Sequence, residues 1–309
     1  FQNIKNYNPD SKCILTIGTF DGVHIGHKKI IKKLVKLANK KKIESTILTF
    51  FPHPRMVLQK ESNLKLIDTL EEKKNLLKKL GVDNLIVHPF SEAFSRLTSL
   101  EFCRDFVVNQ IQTDTLLIGY DHHFGHNREA KSKDLEAMGQ TYNFDVHIIP
   151  AQDISSITVS STKVRKAIES SNFMLVQKFL GRYFELTGIV TKGDGIGRTI
   201  DFPTANINVK ESYKLIPLNG VYLVLVKCED NLFKGMMNIG IRPTINGERQ
   251  TLEVHIFNFN KDIYNQKLKI LFIEKIRDEQ KFESLDALKK QLEKDKEISK
   301  RSLIKKGLH

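Results

Sequence analysis

Cysteine is scarce in this 309-residue chain, and long apolar runs are missing altogether. The three cysteines, Cys13, Cys103 and Cys228, are odd in number and far apart. That spacing speaks against a disulfide framework or a zinc cluster and points to reduced thiols in a cytoplasm. No stretch approaches the roughly 20 apolar residues that span a bilayer. Residues Phe1 to Asp10 are polar and lack the apolar centre of a signal peptide. A soluble, cytoplasmic protein without a membrane partner is the expectation. Internal repeats are absent, and so is a Gly-x-x-x-x-Gly-Lys-Ser/Thr loop. Acidic charge is in the minority: 49 Lys and Arg stand against 36 Asp and Glu, a formal net charge of +13.

Nucleic-acid binding, an enzyme of polyphosphates, or lysine bias on solvated helix faces would each give that balance. The clearest basic run, Lys28, Lys29, Lys32, Lys33, Lys36 and Lys40 to Lys42, interleaves with Ile30, Ile31, Leu34, Val35 and Ala38. This is the spacing of a half-buried helix. Aromatic and basic residues do not alternate as they do in single-strand binders, so no nucleic-acid partner is expected. Hydrophobic residues at 40% and charged residues at 28% are those of a globular chain, long enough for about two domains.

Short apolar runs alternate with helical patterns over the first 180 residues. Cys13–Phe20, Ile43–Phe50, Val82–His88, Leu116–Tyr120 and Val146–Ile149 read as strands. Helices are expected at Gly26–Lys42, from a Thr69/Glu72 capping box to Leu80, from about Ser91 to Gln110, and near Thr162–Glu169 and Asn172–Leu180. Such alternation predicts a parallel, doubly wound α/β sheet of Rossmann type, whose ligands bind at the carboxyl ends of the strands. After Gly181 the pattern changes. Phe184–Val190, Gly220–Lys227, Lys234–Ile239, Thr251–Phe257 and Lys267–Ile276 are strand-like and separated by turns, which predicts a small antiparallel β-barrel. Leu285, Leu288 and Leu292 then mark a C-terminal amphipathic helix.

The string Gly18-Thr-Phe-Asp-Gly-Val-His-Ile-Gly-His27 leaves a strand, turns at Gly22 and opens a helix. It sets His24 and His27 beside a helix N-terminus, whose bare amides and dipole suit a polyphosphate. Two imidazoles there can donate hydrogen bonds to phosphate oxygens as charge builds up, and Gly18 and Gly26 allow close approach. Ser160-Ser-Thr-Lys-Val-Arg165 opens a later helix with Ser160, Ser161, Thr162 and Arg165 available to a triphosphate, or it is simply a helix cap.

These segments, with Thr49-Phe-Phe-Pro-His-Pro54 and Gly119-Tyr-Asp-His-His-Phe-Gly125, resemble the bacterial bifunctional riboflavin kinase/FAD synthetases. The resemblance implies FMN + ATP → FAD + pyrophosphate in a domain over residues 1–180. Gly18, Phe20, Asp21, Gly26, Ser160, Ser161, Thr162 and Arg165 would bind ATP, with His24 and His27 catalytic and Asp121 and Phe124 on the flavin side. His122, His123 and Ala130 depart from the family pattern.

In the second half, Gly195-Ile-Gly-Arg-Thr-Ile-Asp-Phe-Pro-Thr-Ala-Asn206 carries a glycine-bearing loop, then Thr204 and Asn206 two residues apart. On an extended chain both point one way, and their oxygens suit Mg²⁺. Glu253 stands on an otherwise apolar strand, as a paired structural group or as a general base. With Asn238-Ile-Gly-Ile-Arg-Pro-Thr244, these segments resemble the riboflavin kinase module over residues 184–309. The resemblance implies riboflavin + ATP → FMN + ADP, with Gly195 and Gly197 at ATP, Thr204 and Asn206 at Mg²⁺ and Glu253 as the base. Arg277 matches a flavin-side position, or serves as a salt-bridged arginine. Asp201 stands where the family has Gly. A backbone needing positive φ would tolerate it at some cost. A carboxylate facing the phosphates would oppose them by about 4 kcal/mol at 4 Å in an effective dielectric near 20. FAD synthesis with an impaired kinase is therefore the alternative reading.

Overall fold

In the computed structural model the chain divides into two compact units, Phe1–Ser161 and Thr162–His309. The structure describes residues 1–59, 61, 63–119, 125, 132–150, 159–193, 195–244 and 247–308.

The first unit is built on five parallel strands: β1 (Cys13–Ile17), β2 (Glu44–Phe50), β3 (Asn84–His88), β4 (Thr113–Gly119) and β5 (Asp145–Ile149). Their order is β3-β2-β1-β4-β5, so the chain reverses direction across the sheet between β1 and β4. Successive side chains of a strand face opposite sides, and both sides here are covered. Ile14, Ile47 and Leu117 pack with Ile31, Leu34 and Ala38 of the helix Ile25–Lys41 and with Leu77 of the helix Leu70–Lys79. Leu15, Leu48, Ile86 and Leu116 pack with Phe102, Val107 and Leu135 on the other side. This is the doubly wound sheet that the alternation of short apolar runs predicts.

Two local differences have clear causes. The first strand stops at Ile17, well short of Phe20, because Phe20, Gly22 and Val23 all adopt positive φ (45°, 85° and 38°) and cannot continue a ladder. The helical stretch expected over 91–110 is broken at Thr98, whose capping box with Glu101 starts a new helix at Ser99.

The helix Ser161–Glu169 starts on the last residue of the first unit, and the helix Phe173–Leu180 follows in the second. Six strands follow: β6 (Phe184–Thr191), β7 (Ala205–Asn208), β8 (Gly220–Cys228), β9 (Asn231–Thr244), β10 (Gly247–Ile256) and β11 (Lys267–Arg277). They close as an antiparallel barrel in the order β10-β7-β6-β11-β8-β9, and the helix Leu285–Lys305 ends the chain. The unbroken apolar run of β8 is explained by burial on both sides. Val221, Leu223 and Leu225 join a cluster that includes Leu303 of the terminal helix, while Tyr222 lies edge-on to Phe173 at 5.6 Å. β7 is the strand that sequence periodicity misses: it has four residues, two of them Asn. Among the described residues no helix is long and apolar enough to cross a membrane.

Candidate active site

In an open parallel sheet the crevice lies where the strand order reverses, outside the carboxyl ends of the strands. That point is the gap between β1 and β4, and the turn Gly18–His27 leaves β1 there. The turn is held from several sides. Gly18 donates from its amide to the Leu48 carbonyl at 3.0 Å. Thr49 Oγ1 and Lys73 Nζ both donate to the Thr19 carbonyl, at 3.2 and 2.7 Å. Asp21 Oδ1 accepts from the Ile67 amide, and the Asp21 carbonyl accepts from Ser161 Oγ, each at 2.9 Å. The last bond brings Ser161 to the string Gly18–His27. A Cβ at Gly26 would lie 3.2 Å from His24 Nδ1 and 3.5 Å from Val159, so the backbone passes close between these groups.

His24 is the N-cap of the helix Ile25–Lys41, and its Nδ1 accepts from the His27 amide at 3.3 Å. With Nδ1 accepting, the ring proton sits on Nε2, which is left to donate elsewhere. The Ile25 and Gly26 amides belong to the first turn and have no intrahelical acceptor. The His27 ring stacks on His24 with centroids 3.6 Å apart, and Phe20 meets it edge-on at 5.2 Å. Burial lowers the His24 pKa to about 4. Burial, then the neighbouring His24 and Lys73, hold His27 well below the ordinary histidine value. Both rings are therefore neutral N–H donors at pH 7 rather than fixed cations. Phe20 and Asp21 are themselves buried, so their side chains shape the turn. Positive φ at the non-glycine residues Phe20 and Val23 concentrates backbone strain at this corner.

Ser160 and Thr162 are exposed, and Arg165 is buried on the helix Ser161–Glu169. Asp121 and Phe124, expected on the flavin side, lie outside the described residues.

In the second unit, antiparallel register does what sequence spacing cannot. Glu253 of β10 pairs with Asn206 of β7 on one side and with Asn238 of β9 on the other. Directly opposed residues share a face, so a carboxylate and two amides form a row across three strands. Thr204 Oγ1 donates to Glu253 Oε2 at 3.2 Å, and Arg242 Nη2 lies 3.4 Å from Glu253 Oε1. The glycine loop closes over these groups. A Cβ at Gly193 would lie 2.0 Å from the Asn206 amide nitrogen, and one at Gly197 would lie 2.2 Å from the Phe202 carbonyl oxygen and 3.4 Å from Thr204 Oγ1. Gly195 caps the short helix Ile196–Thr199 with φ 73°. Beside Thr204 opens a cleft of about 640 Å³, whose walls include Arg198, Lys261 and Tyr264.

Asp201 does adopt the left-handed region, at φ 63°. Its Oδ2 is 2.6 Å from Lys289 Nζ on the terminal helix, and Lys289 holds the carboxyl below its usual range. The repulsion anticipated there is thus met by a cation. Arg277 is engaged by a carboxylate: Nε lies 2.9 Å from Asp295 Oδ2, with Asp295 fully buried, and the guanidinium sits 5.6 Å from the Phe282 ring. It ties β11 to the terminal helix. Sequence reasoning passed over Lys73 and His255. Lys73 looks like one more lysine of a lysine-rich helix. His255 is buried beside Phe202, with Nδ1 2.8 Å from the Pro203 carbonyl oxygen, and only its apolar surroundings mark it.

Known proteins match the chain over both units. The FAD synthetase family model matches residues 7–163, and the riboflavin kinase model matches residues 180–303. A bifunctional riboflavin kinase/FMN adenylyltransferase of Buchnera aphidicola subsp. Schizaphis graminum is 36% identical over 304 residues, covering 97% of this chain and 96% of that protein. The protein of the same description from Escherichia coli K12 is 35% identical over 288 residues, 93% of this chain and 91% of the relative. A crystal structure titled macrolide-efflux protein, from Streptococcus pneumoniae, superposes with a TM-score of 0.87 at 31% identity, covering 97% of both chains.

Proposed function

The chain belongs to the bifunctional riboflavin kinase/FMN adenylyltransferase family, and on that premise we propose how its residues divide the two reactions. The protein phosphorylates riboflavin to FMN with ATP, then adenylylates FMN with a second ATP to give FAD and pyrophosphate. In our reading adenylylation belongs to residues 1–180 and phosphorylation to residues 184–309. The observation that carries the first half is the stacked, neutral His24–His27 pair at a helix N-terminus on the sheet's reversal point.

At that corner an FMN phosphate oxygen attacks the α-phosphorus of ATP, and the bond to the bridging oxygen breaks to release pyrophosphate. Imidazole N–H groups and the first-turn amides of Ile25 and Gly26 stabilise the charge that develops on the phosphate oxygens. Gly18, Phe20 and Asp21 fix the turn. Ser160 and Ser161 add ATP contacts beside the turn, and Asp121 and Phe124 take the flavin.

In the barrel, Glu253 removes the proton of the ribityl 5′-hydroxyl as its oxygen attacks the γ-phosphorus and ADP leaves. A carboxylate has about four acceptor sites, so Glu253 can hold Thr204 and Arg242 and still accept from substrate. Gly195 and Gly197 let the loop approach the ATP phosphates, and the cleft lined by Arg198 and Lys261 supports a nucleotide there. Arg277, anchored by Asp295, keeps a place on the flavin side through the position of the β11 end.

The Thr204 hydroxyl, the Asn206 amide oxygen and the nearby Glu253 carboxylate are hard oxygen donors, a set that fits Mg²⁺. Thr204 and Asn206 would hold it, and the ion supplies charge neutralisation on the phosphates. Exhaustive chelation is expected to lower both FMN and FAD formation about 100-fold, with recovery on adding Mg²⁺. FMN accumulating at its normal rate in metal-free buffer would rule out the metal assignment.

Nothing favours an impaired kinase. Because Asp201 pairs with Lys289 in the open, Asp201→Gly is expected to change the riboflavin phosphorylation rate by no more than about threefold. A tenfold gain in steady-state FMN formation would show that Asp201 does suppress the reaction.

A further inference from the structure

The helix Leu70–Lys79 carries a charge in the wrong place. Its apolar side should be apolar throughout, yet Glu72 and Lys73 are buried on it with Leu77. Glu72 has a local reason, since it closes the capping box with Thr69. Lys73 has none within its helix. It is 3% exposed, and a buried ammonium is costly unless it is paired and hydrogen-bonded.

Its partners all belong to the nucleotide corner. Lys73 Nζ donates to the Thr19 carbonyl at 2.7 Å, inside the string Gly18–His27. The carboxylates of Asp21 and Asp68, each 1% exposed, lie near enough to counter the depression that burial imposes on its pKa. Asp21 is bonded in turn to the Ile67 amide, which ties the turn to the segment that leads into the helix. Thr49 Oγ1 supplies a second, uncharged donor to the same carbonyl.

We propose that Lys73 is a positioning residue of the adenylyl-transfer site, gripping the Thr19 carbonyl from inside the fold and so fixing the turn that presents His24 and His27. The inference rests on reading that turn as the nucleotide corner. It also gives the buried charge a second effect. His27 is faced by the stacked ring of His24, by the edge of Phe20, and by the charge of Lys73 with its counter-ions Asp21 and Asp68. A positive charge there disfavours a second one on the imidazole, so Lys73 adds to the burial and the His24 ring that keep His27 neutral. The sign is definite: removing the ammonium makes His27 easier to protonate, and its titration moves to higher pH.

The test uses the full chain. Lys73→Met is expected to lower the kcat of FMN adenylylation about 100-fold, the scale of a displacement of about 1 Å at a reacting centre. Riboflavin phosphorylation on the same chain should stay unchanged. The ¹³Cε1 resonance of His27, assigned by its loss in a His27→Gln spectrum, should titrate at higher pH in Lys73→Met than in wild type. Thr49→Val removes the other donor without removing charge, and should leave the His27 titration in place. Adenylylation within threefold of wild type in folded Lys73→Met would overturn the proposal. So would an equal upward His27 shift in Thr49→Val, which would trace the effect to loosening alone. Should Lys73→Met fail to fold, Lys73→Gln, too short to reach the Thr19 carbonyl, takes its place: adenylylation within threefold of wild type in that folded variant overturns the proposal. Failure of the underlying reading looks different, because His27→Ala would then leave adenylylation intact.

Discussion

His27→Ala is expected to lower FMN adenylylation by about 10²- to 10³-fold while riboflavin phosphorylation runs at its wild-type rate. That range is what losing one well-placed donor to a developing oxyanion costs. The donor is unusually well set. His27 stacks at 3.6 Å on a His24 ring whose own tautomer is fixed by the His27 amide, and Phe20 closes the remaining edge. Burial lowers the pKa of both rings, so in the proposed reading their N–H groups act as neutral donors. Substitution by alanine removes the donor and opens a gap beside His24, so kcat should fall further than the affinity for ATP changes. Chromatographic separation of FMN and FAD after incubation with riboflavin and ATP measures both reactions at once. Normal FAD yield from His27→Ala would sink the assignment of the first unit's site.

The opposite selectivity is expected of Glu253→Gln: FMN formation falls by about 10²- to 10⁴-fold, the usual worth of a general base, while supplied FMN is still converted to FAD. Gln is isosteric and keeps an oxygen to accept from Thr204 Oγ1, so the barrel should remain intact. What disappears is the capacity to take the hydroxyl proton. The new amide also faces Arg242 without the charge that the guanidinium now meets at 3.4 Å. Circular dichroism separates this outcome from unfolding. If Glu253→Gln lost both activities in folded protein, the division of the reactions between two sites would be wrong.

Much of this could be read from the chain itself. The string Gly18–His27 is local: strand, glycine turn and helix start lie within a few residues, so their order alone gives the expectation of a phosphate corner. The capping box at Thr69 and the period-two apolar runs are local in the same sense. Asp121 and Phe124 lie outside the described residues, and their flavin-side role stays an expectation. β7 escaped because four residues with two asparagines carry no strand signal of their own; their partners on β6 and β10 supply it.

By itself the sequence determined the alternation of strands and helices in the first half, the change to strand-like runs after Gly181 and the residue types in each motif, since these depend on neighbours a turn or a strand apart. Tertiary structure alone decided which distant groups meet. Thr204 reaches Glu253 across 49 residues, Lys73 reaches Thr19 across 54, and Asp201 finds Lys289 across 88. A lysine on a lysine-rich helix and an aspartate in a glycine's place look alike in any one-dimensional reading. Closure of the barrel and packing of the helix Leu70–Lys79 on the sheet bury one and expose the other, and burial is what turns a common charge into a constraint on the site.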